Sequence, residues 1–224
     1  VWSMLSPLLN LLVMSLVFTQ FFGRNTPHYT IYLFSGNIVM AFFKESTKGG
    51  MASLMGNAGI FTKVNVPKYL FLLSKNVSAL INFGLTLIIY FIFVAFDRIP
   101  FRVSFLCLAF PVSCLVVLNI GVGMILSALY VFFRDTQYLY DVFLTLLTYM
   151  SAIFYKVDSF DPSVQRLFLL NPIYVYIKYI RCIVIDGTVP SLNYHGLCVL
   201  YAVVFLGIGS WFYKHYNQKF LYYV

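Results

Sequence analysis

Charged residues are scarce in this sequence. Only 10% of its 224 residues are Asp, Glu, Lys or Arg, while 61% are hydrophobic. A soluble domain carries roughly 25% charged residues, which keep its surface in water, so this composition excludes a soluble globular protein. A bilayer core of about 30 Å needs about 20 apolar residues per helix, and this length allows about six such spans with no large soluble domain.

The sequence also lacks the short motifs that bind nucleotides or support catalysis. A GxxxxGK[ST] phosphate-binding loop is absent, and so are HExxH, GxSxG and GxGxxG. No apolar run carries a pair of facing acidic residues, which a proton or sodium path would require. The chain therefore has no recognisable energy source, and we expect neither a catalytic residue nor a cofactor in it.

Clustered metal ligands are missing as well. The four cysteines show no CxxC spacing and three lie in apolar runs, so we interpret them as buried thiols. The three histidines lie far apart, whereas metal sites need clustered ligands, so we predict no metal. The residues concerned are Cys107, Cys114, Cys182, Cys198, His28, His195 and His215.

Six long apolar runs occupy most of the chain. Backbone groups inside a bilayer find no water, so such a run must form a helix or part of a closed barrel, and strands of alternating polarity are not seen. We therefore predict an all-α integral membrane protein with six transmembrane helices. The runs are 5–22, 29–43, 77–96, 103–133, 138–155 and 197–212.

Two of these runs have features of their own. The run 29–43 is short for a span and must extend into its polar flanks or lie in a thinned bilayer. The run 103–133 is long enough to tilt or break. Within it, Gly121-Val122-Gly123 marks either a break or a close contact between helices.

The distribution of basic residues predicts the orientation. Lys and Arg number 15 against 7 acidic residues, and cytoplasmic loops carry an excess of positive charge. We place both termini inside, although Arg166, Lys178 and Arg181 then lie outside and oppose the assignment. The basic residues are scattered, which argues against a nucleic-acid partner. Those placed inside are Lys44, Lys48, Lys63, Lys68, Lys75, Arg134, Lys214 and Lys219.

The polar connection 45–76 is predicted to hold a short amphipathic helix. Met51, Leu54, Met55 and Ala58 follow the i, i+3, i+4, i+7 spacing of one helix face, and Gly59 ends the pattern. Taken alone, the segment fits a helix that lies on the lipid surface.

The segment 157–194 is too polar to span once and too apolar for a free loop. Asp161-Pro162 is typical of a helix start, and Asn171-Pro172 stops that helix before it reaches spanning length. A second short helix follows and ends near Asp186-Gly187. Together they predict a helical hairpin over 162–185 that enters the membrane and returns on the same side.

A group of charges marks the connection between the fourth and fifth runs. Phe133-Arg134-Asp135 ends the fourth run, and Asp141 follows one to two turns into the fifth. The simplest interpretation is that these interfacial charges pair with each other or cap helix ends. A role in gating would be an addition that the spacing does not show.

Five motifs in order carry a resemblance to a known family. The motifs are Trp2-Ser3-Met4-Leu5-Ser6-Pro7-Leu8, Tyr32-Leu33-Phe34-Ser35-Gly36, Asn57 through Lys63 to Pro67, Phe133-Arg134-Asp135, and Asn171-Pro172 followed by Arg181. Together they look like the type-2 ABC exporter permeases that move lipid-linked polysaccharides and teichoic acids out of bacteria, and the similarity covers essentially the whole chain.

The resemblance implies an assembly that supplies the missing energy source. It implies a homodimer of this chain in the bacterial cytoplasmic membrane, bound to two copies of a separate ATPase that holds ATP and Mg, with a lipid-linked glycan as cargo. It also implies an amphipathic helix before the first span and an outer re-entrant helical pair between the last two spans, which matches 162–185.

The resemblance also assigns roles to particular residues. The region 50–67 would be the cytoplasmic coupling element that docks into the ATPase, through Met51, Leu54, Met55, Asn57, Lys63 and Pro67. A path for the cargo would run near the fifth span and the hairpin, where some aromatic rings could stack on sugars. Its candidate residues are Tyr138, Tyr140, Tyr149, Tyr155, Tyr174, Tyr176 and Arg181.

Three other functions stay open on the sequence. One is an exporter of drugs, peptides or small lipids, although such relatives often carry a large outer domain where this chain has only 23–28. Another is an interfacial membrane transferase using Asp158, Asp161 or His195, for which no paired base is recognisable. The last is an ion-coupled carrier or channel, which would need mid-span charges.

Overall fold

Regular structure in the described part of the chain is entirely helical. The computed structural model describes residues 27–61 and 66–216, with Leu9 and Val13 as single helical positions. The rest of the predicted span 5–22 and the predicted coupling residue Lys63 lie outside the described residues. The helices are α1 (Tyr29–Gly56), α2 (Ala58–Phe61), α3 (Tyr69–Phe96), α4 (Ala109–Phe132), α5 (Thr136–Met150), α6 (Pro162–Phe168), α7 (Pro172–Arg181) and α8 (Leu192–Tyr216).

Three of these helices are long and apolar enough to cross a membrane. They are α3, α4 together with the 3-10 turn Val103–Leu108 that precedes it, and α8. The pair α6 and α7 also meets this criterion jointly but is bent by 105° at residues 169–171. The described residues therefore hold three candidate spans, or four if the bent pair is one span.

α1 is the buried centre of the bundle. It packs between α3 and α4, and Phe42 stacks on Phe83 of α3 with ring centroids 4.6 Å apart. Phe34 meets Tyr90 edge to face at 5.3 Å. Aromatic pairs of this geometry add about 0.5–1.5 kcal/mol beyond the area they bury.

The structure corrects the predicted boundaries around α1. The run 29–43 is only the first half of this 28-residue helix, and Met51, Leu54 and Met55 belong to its last turns rather than to a separate amphipathic helix. The helix continues through the polar stretch because neighbouring helices satisfy it. Ser46 hydrogen-bonds to Asn76 of α3, and Thr47 accepts a hydrogen bond from Tyr140 of α5.

The glycine pair in α4 marks close contacts rather than a break. α4 is continuous, and a Cβ placed on Gly121 would lie 2.5 Å from backbone atoms of Phe205 and Leu206 in α8. A Cβ on Gly50 of α1 would lie 3.1 Å from the Cα of Gly123. Two glycines therefore let α4 approach two different helices, since a missing side chain allows backbones to come together.

The hairpin region folds with the helix boundaries that its capping residues predict. The Asn171 side chain accepts a hydrogen bond from the Ile173 amide at 3.0 Å, so it caps α7, and Pro172 occupies the first helical position. A π-helical turn, Cys182–Asp186, extends α7. Gly187 then ends it with φ 69°, a left-handed conformation that glycine adopts without strain.

Candidate functional site

An irregular buried turn follows α5. The predicted run 138–155 stays helical only to Met150, and Ala152 has a positive φ of 51°. Ser151, Ala152 and Ile153 are at most 1% exposed. Carbonyls of such a turn have no helical partner, and an unpaired backbone group away from water costs several kcal/mol in a bilayer. Donors from elsewhere in the fold are therefore required.

Side chains from α1 and α7 supply these donors. Tyr29 and Tyr32 donate their hydroxyls to the carbonyls of residues 154 and 155 at 2.8 and 2.6 Å. The cap residue Asn171 donates its side-chain amide to the carbonyl of residue 150 at 3.2 Å. The turn is thus held both by a residue 21 positions away in the sequence and by tyrosines more than a hundred positions away.

Arg181 completes the support of the turn. Its Nη1 donates to the Ala152 carbonyl at 2.9 Å, and its Nη2 donates to the Ile153 carbonyl at 3.1 Å and to the Tyr32 carbonyl at 3.0 Å. Its Nε also donates to the Ser35 hydroxyl at 3.3 Å. The guanidinium carbon lies 3.4 Å from the centre of the Tyr32 ring, which is a cation–π contact.

The charge of Arg181 is buried, and no counter-ion for it lies among the described residues. Arg181 is 6% exposed, and the acceptors of its hydrogen bonds in this part of the chain are carbonyls and one hydroxyl. The ion pairs of the described residues involve other cations. Gly36 makes room for this arrangement, because a Cβ there would lie 2.8 Å from Nη2.

A cavity opens beside Arg181. Its volume is about 180 Å³, and its walls combine the Tyr32 and Tyr174 rings with charged side chains. Lys178 and Asp158 form an ion pair in the cavity wall, with Lys178 Nζ 2.6 Å from Asp158 Oδ1. The cavity is lined by Pro27, Tyr32, Lys156, Val157, Asp158, Tyr174, Lys178, Arg181, Cys182, Ile185 and Asp186.

The same end of the molecule is tied together by two further contacts. His28 Nδ1 lies 2.7 Å from a carboxylate oxygen of Asp97, which caps α3. Arg102 reaches the carbonyl of Asp186 at 3.5 Å and would collide with any Cβ on Gly187. We call this the cavity end, and the end that carries residues 44–61 and 133–141 the opposite end.

The predicted coupling residues lie at the opposite end but differ in exposure. Met51 and Leu54 are buried, at 3% and 0% exposure, and Met55 and Asn57 are half-buried. Pro67 is exposed before α3. Within the described part of the predicted coupling region, Ile60 of α2 is an exposed apolar side chain, at 49%.

The predicted inner-turn charges do not pair with each other. Asp141 lies 2.6 Å from Lys48 of α1, while Asp135 precedes α5 without a side-chain cap hydrogen bond. Arg134 is exposed. The Lys48–Asp141 pair is nearly half exposed, so its contribution to stability is within about 1 kcal/mol.

The structure does not bring the candidate path residues together in one place. Tyr138 and Tyr149 are exposed on α5, at 71% and 62%, and Tyr155 follows the buried turn. Tyr140 and Tyr176 are buried and donate to Thr47 Oγ1 and to the Cys198 carbonyl. Only Tyr174 and Arg181 of this set line the cavity.

Tyr29, Lys156 and the carbonyls of residues 152–155 belong to this site but match none of the sequence motifs. Tyr29 and Tyr32 are three residues apart, so the sequence spacing already places them on one face of α1. The positive φ of Ala152 has no such signal, because alanine is not a residue that favours it.

The apolar helices of the described residues, together with similarity to transport proteins, indicate a multi-pass inner-membrane protein. The chain is 27% identical to the O-antigen export system permease protein RfbA of Myxococcus xanthus, over 98% of this chain and 85% of the relative. It is 28% identical to the RfbA protein of Klebsiella pneumoniae, over 92% and 78%. It is 23% identical to the polysialic acid transport protein KpsM of Escherichia coli, over 92% and 82%.

These relatives confirm the resemblance to type-2 ABC polysaccharide exporter permeases that the five motifs indicate. They are permease subunits and not enzymes. No family model matches the chain.

Proposed function

We propose that this chain is the transmembrane permease subunit of an ATP-driven exporter that moves a lipid-linked polysaccharide or teichoic acid across the bacterial cytoplasmic membrane. The observation that carries the proposal is the similarity to O-antigen and polysialic acid export proteins over nearly the whole chain. An exporter works against a gradient, and this sequence has no nucleotide-binding loop. Two copies of a separate ATPase, with ATP and Mg, supply the energy in this proposal.

The proposed topology keeps six spans per protomer. Span 29–43 is the first half of α1, span 138–155 is α5 with its buried turn, and the bent pair α6–α7 is an outer re-entrant hairpin. The buried carbonyl network supports this placement, because irregular backbone at membrane depth must be satisfied by protein. Both termini and the opposite end then face the cytoplasm.

A homodimer is part of the proposal. α5 exposes Leu139, Val142, Phe143 and Leu146 along one side, with Tyr138 and Tyr149 at its two ends. One six-helix chain is too small to enclose a glycan-sized path, and a second copy facing α5 would enlarge it. The exposed tyrosines of α5 are then the residues that could stack on the cargo.

The dependence on the ATPase gives the main test of the proposal. Cells that express this chain with an ATPase partner whose phosphate-binding lysine is replaced are expected to lose export and to accumulate the lipid-linked polymer inside. The measurement is surface polymer against total polymer, with the unmodified ATPase as the control. Undiminished export with the inactive ATPase contradicts the proposal.

Ile60 is expected to be a contact for the ATPase. Ile60→Glu should abolish both co-purification of the ATPase and export, because it places a charge where an exposed apolar side chain would enter a pocket of the partner. Gln137→Glu is the matched control, since Gln137 is exposed at the same end and the change adds the same charge. Normal co-purification of the ATPase with the Ile60→Glu variant would contradict the assignment of the coupling contact to residues 50–67.

The exporter of drugs, peptides or small lipids is the alternative within the same class. The relatives named for O-antigen and polysialic acid favour a glycan cargo. Identifying the lipid-linked intermediate that accumulates in depleted cells distinguishes the two.

A further inference from the structure

We infer that the cavity beside Arg181 binds a phosphate group carried by a sugar, a polyol or a lipid headgroup. The juxtaposition that points to this ligand is a buried cation, an exposed lysine and a buried tyrosine hydroxyl that line one cavity of about 180 Å³. Among the described residues, the cation has no counter-ion, and the lysine and the hydroxyl have no hydrogen-bond partner. The inference rests on the proposed function only for placing this cavity on the outer side of the membrane.

The charge balance of the cavity favours an anion. Lys156, Lys178 and Arg181 line it against two carboxylates, Asp158 and Asp186. Asp158 is held by Lys178, and the charge of Arg181 meets only neutral oxygen atoms among the described residues. Removing a cation from water is unfavourable, and an anion that reaches it restores much of the lost interaction.

Three donors around the cavity are left for a ligand. Arg181 Nη1 carries two hydrogens, and among the described residues it donates one of them, to the Ala152 carbonyl. Lys156 is exposed and makes no hydrogen bond or ion pair within the described residues. Tyr174 is only 4% exposed, and its hydroxyl has no hydrogen-bond partner in the same part of the chain.

Phosphate suits this set of donors better than a carboxylate does. A phosphate group offers three or four oxygen acceptors in a tetrahedral arrangement, so it can meet an arginine, a lysine and a hydroxyl at once. The cavity is larger than one phosphate, and its walls include the Tyr32 and Tyr174 rings. One sugar or glycerol unit attached to the phosphate would fill the remaining space against these rings.

A phosphate group occurs both on a sugar of the cargo and on a lipid headgroup, and the experiment distinguishes these two sources. The full chain is reconstituted in phosphatidylcholine nanodiscs and titrated with glucose 1-phosphate, with glucose as the uncharged control. In a second arm, the chain is prepared with phosphatidylglycerol and the retained lipid is counted by native mass spectrometry. Neither arm needs the ATPase, so failure here is distinguishable from failure of the export test.

Lys156→Met is the test variant because Lys156 is exposed and makes no hydrogen bond or ion pair with another described residue, so we expect its loss to leave the fold intact. Arg166→Met is the matched control, since Arg166 is an exposed cation of α6 that does not line the cavity. We expect Lys156→Met to weaken glucose 1-phosphate or phosphatidylglycerol binding at least tenfold and Arg166→Met to change it less than twofold. Tyr174→Phe should weaken binding of the same ligand about threefold.

The pattern of losses decides the outcome. A loss in the sugar arm assigns the site to a phosphate of the cargo, and a loss in the lipid arm alone assigns it to a headgroup. Equal binding of glucose and glucose 1-phosphate, together with unchanged lipid retention in Lys156→Met, overturns the inference. Equal effects of Lys156→Met and Arg166→Met overturn it as well, because they would reflect net charge only.

Discussion

Replacing Arg181 by methionine is expected to lower the free energy of unfolding by about 2–6 kcal/mol, since the Ala152 and Ile153 carbonyls each lose a donor worth roughly 1–3 kcal/mol. Methionine relieves the burial of a charge, but it offers the turn no hydrogen bond. The carbonyls are in an irregular segment, so no helical amide can replace the lost donors. The measurement is the apparent melting temperature in nanodiscs, which we expect to fall by at least about 4 °C.

Two variants make the Arg181 result specific. Arg181→Lys keeps the charge but cannot reach several acceptors from one ammonium group, so it should recover little of the loss. Arg166→Met removes an exposed arginine and should change stability by less than about 0.5 kcal/mol. A melting temperature of Arg181→Met equal to or above the wild type would show that the turn does not depend on this side chain.

Replacing Gly121 by alanine is expected to destabilise the chain by roughly 1–3 kcal/mol, the usual cost of overpacking. The new methyl group would lie 2.5 Å from backbone atoms of Phe205 and Leu206, and backbone atoms cannot turn away as a side chain can. α4 and α8 would have to separate along their contact. The loss is measured as the change in apparent melting temperature.

Gly84→Ala is the matched control for Gly121→Ala. Gly84 lies inside α3, and a Cβ there would meet no atom within 4 Å. Alanine restricts the unfolded chain, so this variant should gain about 0.5–1 kcal/mol. If both glycine variants behave alike, the contact between α4 and α8 is looser than the structure shows.

Local signals predicted the hairpin region well. The observed helices begin at Asp161-Pro162 and Asn171-Pro172 and end at Asp186-Gly187. Asn171 caps its helix through a side-chain hydrogen bond, whereas the Asp161 side chain makes none, so Pro162 is the effective local signal there. Such signals do not depend on the rest of the fold, so they can be read along the chain. The re-entrant placement of the pair depends on the bilayer and is part of the proposal.

The end of α1 was predicted wrongly from the sequence: the apolar run ends at residue 43, but the helix continues to Gly56. Lys44, Glu45 and Lys48 interrupt the apolar run and suggested that the span ends at Phe43. In the fold, Glu45 accepts a hydrogen bond from Asn82 of α3 and Lys48 pairs with Asp141 of α5, so the polar turns have partners and the helix continues. These partners are distant in sequence, which is why a pattern along the chain could not reveal them.

The amino-acid sequence alone determined that this protein is an integral membrane protein, because its composition is too apolar for a soluble domain. It also determined that the protein is helical, because a backbone in a water-free layer has few ways to satisfy its hydrogen bonds. It also set the ends of the short helices and, through the five motifs, the resemblance to export permeases. Only the tertiary structure decided that Tyr29, Tyr32 and Arg181 support one buried turn and that Arg181, Lys156 and Tyr174 line one cavity. The physical reason is that these contacts join residues far apart in the chain, so they arise only when α1, α7 and the turn after α5 pack together.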